Sequence, residues 1–127
     1  MNVARGTFQV TLVPGSSELG GAVHRFEITK TFHGDLSGTS TGVMLSAGDP
    51  QSGEAGYVAV EVVNAALTGR AGRFAMQQFG TMHDGTQNLY YEIVPGSGSG
   101  ELVTITGRLL LTIDAEGTHH YEIEYSV

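Results

Sequence analysis

Apolar and polar residues alternate along almost the whole chain, and a period of two is typical of strands that have one face in water. Near the start, Phe8, Val10 and Leu12 fall on one face of such a strand, while threonine and glutamine residues fall on the other. Clusters of Gly, Asp, Ser and Pro separate the alternating stretches. Because no long stretch has the spacing of a helix, we expect an all-β fold.

The alternation predicts eight strands that together cover more than half of the chain. They span residues 3–13, 23–32, 39–47, 57–68, 73–82, 86–94, 107–113 and 118–125. Ordinary domains have about a quarter of their residues in strands, so this excess favours a sheet that closes on itself. We therefore expect a closed eight-stranded antiparallel barrel.

The connections predict the order of the strands. Residues 69–72, 83–85 and 114–117 are too short for anything but hairpins, because parallel strands need a crossover of about a dozen residues. An up-and-down meander is the simplest path. The longest connection, residues 95–106, begins with PGSGSG, and we expect it to form a compact turn that covers one end of the barrel as a lid or a bottom. A nucleotide-binding loop would need a real helix after it.

Composition narrows the function classes. The 127 residues are typical of one domain, so we expect a single β-barrel domain over residues 1–127. Six Lys plus Arg against thirteen Asp plus Glu give a net charge of -7, which disfavours nucleic-acid binding. The chain has no Cys, which excludes thiolate catalysis and disulfides. No apolar run is long enough for a membrane span or a signal peptide, so we expect a cytoplasmic protein without membrane contact.

Three motifs stand out: TKTFHGDL at residues 29–36, GRAGRF at 69–74 and VPGSGSGEL at 94–102, together with Gly80-Thr81 and Gly107. In these motifs the chain resembles a bacterial family of proteins of about this length that is catalogued as a domain of unknown function. Members of that family are similar in fold to allene oxide cyclase, an eight-stranded antiparallel meander barrel. The resemblance implies the same barrel. The cyclase's activity is not carried over, because its own motif does not map residue by residue onto this chain.

The interior of an eight-stranded barrel is either filled by side chains or holds one small ligand. Taking the more apolar face of each strand as inward predicts this lining: Phe8, Val10, Leu12, Phe26, Ile28, Lys30, Phe32, Val58, Val60, Val62, Phe74, Met76, Gln78, Met82, Leu89, Tyr91, Ile93, Tyr121, Ile123 and Tyr125. The candidate ligand contacts among them are Lys30, Gln78, Tyr91, Tyr121, Tyr125, Phe26, Phe74 and Met76. Such a lining is typical of a pocket for a small, largely apolar molecule, and equally of a filled core.

Two polar residues on the predicted inner face each have two interpretations. Lys30 is the only lysine of the chain. In the first interpretation it is a buried base or a Schiff-base amine. In the second, which we favour, its ammonium group extends to the rim of the barrel or pairs with a carboxylate such as Asp35. Gln78 has the same ambiguity together with Tyr91, Tyr121 and Tyr125. These four side chains would either orient a carbonyl or carboxylate ligand or, as we favour, form a polar network inside the barrel in which every group has a partner.

Glu61 depends on which face of its strand points inward. An inward Glu61 would be a buried carboxylate and a candidate general base. We favour an outward Glu61, because the opposite face, with Val58 and Val60, is the more hydrophobic. The stretches 57–65 and 109–111 would then be apolar on both faces, which predicts a homo-oligomer through their outer faces.

The five histidines do not predict a metal site. His119 and His120 are adjacent on a strand, so their side chains point to opposite faces and cannot share one ion. We expect no metal and no cofactor.

Three functional hypotheses follow. The first is a barrel that binds a small apolar or amphipathic molecule in its lumen. The second is an isomerase- or cyclase-type enzyme that uses the lumen as its active site. The third is a structural protein with a filled core that acts through assembly.

Overall fold

The structure, a computed structural model, describes residues 1–127. It consists of nine strands: β1 (Asn2–Glu18), β2 (Val23–Gly34), β3 (Leu36–Asp49), β4 (Glu54–Leu67), β5 (Arg70–His83), β6 (Thr86–Ile93), β7 (Ser99–Gly100), β8 (Thr106–Ile113) and β9 (His119–Ser126). Single 3-10 turns at Leu19–Gly21 and Pro50–Ser52 follow β1 and β3. None of the helical segments has the length and apolar character needed to cross a membrane.

Eight of the strands form a closed barrel. Each of β1 to β5 pairs antiparallel with the next strand. The barrel then continues from β6 to β8 and from β8 to β9, and β9 closes it by pairing with β1. The ninth, β7, is a two-residue outer strand on β5. The predicted all-β, eight-stranded meander barrel is confirmed.

Several strands run further than the alternation predicts. The predicted first strand stops at residue 13, whereas β1 continues to Glu18 because a bulge between Pro14 and Ser17 lets it resume pairing with β2. Likewise β2 and β3 are joined by Asp35 alone, after Gly34 with φ of 107°. Turn-forming residues that end a strand in most sequences are built into the ladder here.

One end of the barrel is closed by the connection between β6 and β8. Leu102 and Ile105 from this connection are fully buried inside the closed end. Gly98 approaches Leu102 so closely that a Cβ would lie 1.9 Å from the Leu102 carbonyl oxygen. The core at this end and through the middle consists of Ala4, Phe8, Phe32, Leu36, Val63, Leu67, Phe74, Met76, Tyr91, Ile93, Leu102, Ile105, Leu109, Tyr121, Ile123 and Tyr125. Of the two predicted roles, a lid or a bottom, the connection therefore has the second and forms the bottom of the barrel.

The predicted inward faces are confirmed for β1, β2, β5, β6 and β9 and wrong for β4. Val58 and Val60 are more than half exposed on the outer wall, whereas Ala59, Glu61 and Val63 are buried. The prediction took the more hydrophobic face as the inner one, which fails here because the outer wall of β4 is itself apolar.

The leucines of β8 divide between the two sides of the wall. Leu109 is buried and Leu111 packs against the core, whereas Leu110 is exposed. Leu110 is the one leucine of residues 109–111 on the outer face, where it stands between exposed Arg108 and Thr112. A subunit contact through this stretch stays a prediction.

Candidate functional site

The half of the barrel away from Leu102 is hollow. Its cavity has a volume of about 840 Å³ and reaches the turn after β3, where Asp49 and Pro50 line its mouth. The wall is largely apolar and includes Val10, Leu12, Phe26, Ile28, Met44, Met82, Leu89, Leu111 and Ile113. Only the closed half of the barrel is filled by side chains, so the filled-core alternative describes half of the molecule.

The floor of this cavity is built by three neighbouring strands. Lys30 on β2 stands directly opposite Ser40 on β3, and Ser40 stands opposite Val63 on β4. Glu61 lies two residues before Val63 and so shares its inward face. Gly42 is the cross-strand partner of Glu61, and a Cβ there would lie 2.7 Å from the Glu61 Cβ. The glycine thus leaves the space that the Glu61 side chain occupies.

These side chains form one hydrogen-bonded network with Tyr91. Lys30 Nζ donates to Glu61 Oε1 at 3.0 Å and to the Tyr91 hydroxyl at 2.7 Å. Ser40 Oγ donates to Glu61 Oε2 at 2.7 Å, and the Tyr91 hydroxyl donates to Glu61 Oε1. No fully buried side-chain nitrogen or oxygen of the protein lacks a partner. Both carboxylate oxygens of Glu61 are therefore occupied by protein donors.

Burial controls the protonation of this network. Lys30 is 6% exposed and Glu61 is 1% exposed. Desolvation lowers the pKa of Lys30, and the nearby Glu61 carboxylate opposes this effect. Desolvation, together with the charge of Glu61, raises the pKa of Tyr91 well above its usual value, so the phenol stays protonated. Lys30 Nζ also lies 4.9 Å from the ring centre of Phe8, an additional favourable contact for the ammonium group.

A second polar pair faces the cavity from β4 and β5. The Tyr57 hydroxyl donates to Gln78 Oε1 at 2.8 Å, and the Gln78 amide nitrogen has no protein partner. Tyr57 packs over Gly80, where a Cβ would lie 2.6 Å from its ring. Desolvation and the charge of Glu61 raise the pKa of Tyr57. The amide nitrogen of Gln78 is therefore a free hydrogen-bond donor in the cavity wall.

The structure brings half of the predicted ligand contacts to this cavity. Those that line it are Phe26, Lys30, Gln78 and Tyr91. Phe74 and Met76 point inward as predicted, but they are completely buried and do not line the cavity.

Tyr121 and Tyr125 lie in the closed half of the barrel, so the predicted cluster of Gln78 with these tyrosines is wrong. The Tyr121 hydroxyl accepts from the Leu36 backbone N–H at 2.9 Å and donates to the His33 carbonyl at 2.9 Å. The Tyr125 hydroxyl donates to Thr68 Oγ1 at 3.3 Å. Both tyrosines therefore have structural partners around the turns at the closed end.

The partner predicted for Lys30 is also wrong, although the pairing itself is confirmed. Asp35 lies on the turn between β2 and β3, where its carboxylate accepts from the Arg5 backbone N–H at 2.8 Å. Lys30 pairs instead with Glu61, for which the sequence pattern predicts the outer face. Ser40 and Tyr57 were not predicted as site residues at all.

One signal in the sequence could have located Glu61. A buried Lys30 needs an anionic partner inside the barrel. By alternation with correctly predicted inward neighbours, the other mid-strand carboxylates point outward: Glu27, Glu92, Glu122 and Glu124. Only Glu61 was free to be that partner, and charge pairing should have outweighed the hydrophobicity of Val58 and Val60.

The histidines behave largely as their spacing predicts. His119 lines the cavity, with its ring centre 5.1 Å from that of Phe8, while His120 lies outside and contacts Asp114 at 2.8 Å. At the exposed rim, His83 contacts Glu54 at 2.8 Å and Asp84 at 3.4 Å. Although these three residues are close enough to share an ion, exposed acidic groups commonly meet in this way without one. The absence of a metal and a cofactor stays a prediction.

The homo-oligomer also stays a prediction, now with a different surface. An apolar patch on the outer wall of β3 to β6, called the outer patch below, consists of Val43, Leu45, Val58, Val60, Phe79 and Tyr90. Its two aromatic rings are stacked at 5.4 Å.

Comparisons with known proteins agree with this architecture. Residues 4–125 match the family described as "Protein of unknown function (DUF3224)". A crystal structure of a protein of unknown function from the DUF3224 family of Shewanella oneidensis MR-1 is similar to this chain, with 42% sequence identity and a TM-score of 0.92. The match covers 99% of this chain and 96% of that one. No curated protein matches the chain. The likeness to allene oxide cyclase stays a prediction. The chain belongs to the DUF3224 family.

Proposed function

We propose that the protein binds a small apolar or amphipathic molecule in the hollow half of its barrel. The observation that carries this proposal is the cavity of about 840 Å³, with apolar walls and a hydrogen-bonding floor. Pockets for small ligands have volumes of about 300–1,000 Å³, mostly apolar walls and a few converging polar groups. The filled half of the same barrel indicates that side chains of this chain can close a lumen where no space is needed.

The polar groups lie where they would orient a ligand. Lys30 and Tyr91 lie in the floor, and Gln78 lies in the adjoining wall. An amphipathic molecule would place its polar end against these groups and its apolar body along the wall that includes Phe26 and Met44. Burial of apolar surface would supply most of the binding free energy, at about 25 cal/mol per Å².

The proposal is tested by titrating the protein with Nile red, a neutral apolar dye. We expect saturable binding to the wild type. Ser46→Trp places a bulky side chain in the cavity and should abolish binding, whereas Thr41→Trp places it on the outer face of the same strand and should not. No saturable binding to the wild type, or equal binding to both variants, would contradict a luminal site.

A second candidate function is an isomerase- or cyclase-type enzyme with the same lumen as its active site. The observation that favours it is the contiguous chain of titratable groups at the floor, Lys30, Glu61 and Tyr91, along which a proton can move. Gln78→Leu separates the two functions. In a binding protein it changes affinity alone, whereas in an enzyme it lowers turnover while the ligand still binds.

We keep the cytoplasm as the proposed location. Cell fractionation with an antibody to the native protein would test it.

A further inference from the structure

The floor of the cavity is electrically neutral although it contains two ionised groups. Lys30 Nζ and Glu61 Oε1 lie 3.0 Å apart, and their charges cancel. The two tyrosines that face them, Tyr57 and Tyr91, carry neutral hydroxyls. The remaining titratable groups that line the cavity are His24, Asp49 and His119, and the His119 ring packs against Phe8, 5.1 Å from its ring centre. A ligand that reaches the floor therefore meets a surface without net charge.

The hydrogen atoms without a partner at this floor all belong to N–H groups, because the hydroxyl hydrogens of Ser40, Tyr57 and Tyr91 are already donated within the protein. Both oxygens of Glu61 are occupied by Lys30, Tyr91 and Ser40. Gln78 Oε1 is occupied by the Tyr57 hydroxyl. The donors that remain are the third N–H of the Lys30 ammonium group, which uses two on Glu61 and Tyr91, and the amide N–H groups of Gln78. A spare lone pair on an oxygen that already has one partner is tolerated better than an N–H with none. The complementary group on a ligand is an acceptor.

The charge of that acceptor follows from the ion pair. A carboxylate ligand would be a second anion beside one cation, so the floor would hold an uncompensated negative charge in an apolar cavity, which is costly. The net charge of -7 on the chain adds to the repulsion. A carbonyl oxygen accepts the same hydrogen bonds without bringing a charge.

We propose that the lumen selects an uncharged carbonyl compound with an apolar body, such as a ketone, aldehyde, ester or amide, over the corresponding carboxylate. This inference rests on the proposed function and names the ligand class of the same cavity. The ion pair acts as a selectivity device, because Glu61 neutralises the cation that would otherwise attract an anion.

The test is displacement of Nile red by three ligands of equal chain length: hexyl methyl ketone, octanoate and octane. For the wild type we expect the ketone to displace the dye at roughly tenfold lower concentration than octanoate, which corresponds to about 1.4 kcal/mol. Octane, which lacks an acceptor, should also bind less tightly than the ketone. Octanoate binding as tightly as the ketone or more tightly would overturn the proposal.

A charge-deleting variant tests the cause. Glu61→Gln leaves Lys30 as an uncompensated cation and should strengthen octanoate binding by roughly tenfold while the ketone changes little. Glu27→Gln removes the same charge from the exposed face of β2 and should leave the order of ligands unchanged. An unchanged ratio of ketone to octanoate in folded Glu61→Gln would refute the role of the ion pair.

A replacement variant and the dye control distinguish failure of the carbonyl selection from failure of the proposed function. If Glu61→Gln does not fold, Gln78→Leu replaces it, and the advantage of the ketone over octane should shrink because one donor is lost. If Nile red itself does not bind the wild type, both the ligand class and the proposed function fail. If the dye binds and octanoate is preferred, only the carbonyl selection fails.

Discussion

Replacing Lys30 with methionine should be among the most destabilising single changes in this protein. The substitution keeps most of the side-chain volume but leaves the carboxylate of Glu61, 1% exposed, without its cation. At the observed 3.0 Å, the attraction lost is about 5–6 kcal/mol at an effective dielectric constant of about 20. Part of it is offset because the Lys30 ammonium group is no longer desolvated, and removal of one partner from a buried pair typically costs about 3–5 kcal/mol.

The loss is measured by urea denaturation followed by circular dichroism, with tyrosine fluorescence as a second signal since the chain has no Trp. For a chain of this length the same loss corresponds to a fall in Tm of about 10–20 °C. The control is Arg5→Met, which breaks an ion pair of similar length, 2.8 Å, on the surface, where the Arg5 side chain is 70% exposed. That change should cost less than about 1 kcal/mol.

The double variant Lys30→Met, Glu61→Gln separates charge from packing. It has no buried charge and keeps an amide for Ser40 and Tyr91, so it should be more stable than Lys30→Met alone, with a coupling energy of about 2–3 kcal/mol. The reasoning is refuted if Lys30→Met costs no more than Arg5→Met, or if the double variant is no more stable than Lys30→Met.

Three further predictions concern the closed end, the pH dependence and the outer patch. Leu102→Ala should lower the free energy of unfolding, measured by urea denaturation, by about 2–5 kcal/mol. Val103→Ala, at the exposed neighbour, should lower it by less than about 0.5 kcal/mol. Equal effects of the two substitutions would contradict the role of Leu102 in filling the closed end. Between the lowered pKa of Lys30 and its ordinary value of 10.5, the unfolded chain holds more protons than the folded one, so Lys30 makes the free energy of unfolding rise with pH. Above about pH 10 the raised pKa of Tyr91 reverses this slope, because the folded chain then holds more protons. Urea denaturation across this range checks the sign, and a steady fall from pH 8 upward would argue against the lowered pKa of Lys30. If the outer patch joins subunits, Phe79→Glu should reduce the mass measured by light scattering to that of one chain, 13.4 kDa, whereas a wild type that already has this mass would exclude the homo-oligomer.

The strands and their closure were predictable because their signal is local. An alternation of period two depends only on neighbouring residues, and hairpins such as that at residues 69–72 are too short for another topology. The bulge after Pro14 was not predictable in this way. It depends on continued pairing with β2, a partner that the local pattern of β1 does not contain.

The candidate site was predicted only in part because it depends on non-local geometry. Alternation correctly placed Lys30, Gln78 and Tyr91 on inner faces, but it cannot give the height of a residue along the barrel axis. That height depends on the stagger between strands, which put Tyr121 opposite Gly6 near the closed end. The inward face of β4 depended on the charge of Lys30 two strands away, a long-range requirement that hydrophobicity alone did not include.

The claim that the lumen holds a ligand is tested most directly by NMR on the single lysine. With lysine isotopically labelled, the folded protein has one side-chain ammonium signal, that of Lys30 in the cavity floor. We predict that hexyl methyl ketone shifts this signal saturably in the wild type and does not shift it in Ser46→Trp. A signal that stays unchanged on addition of the ketone, or that shifts equally in both proteins, would contradict a ligand site in the lumen.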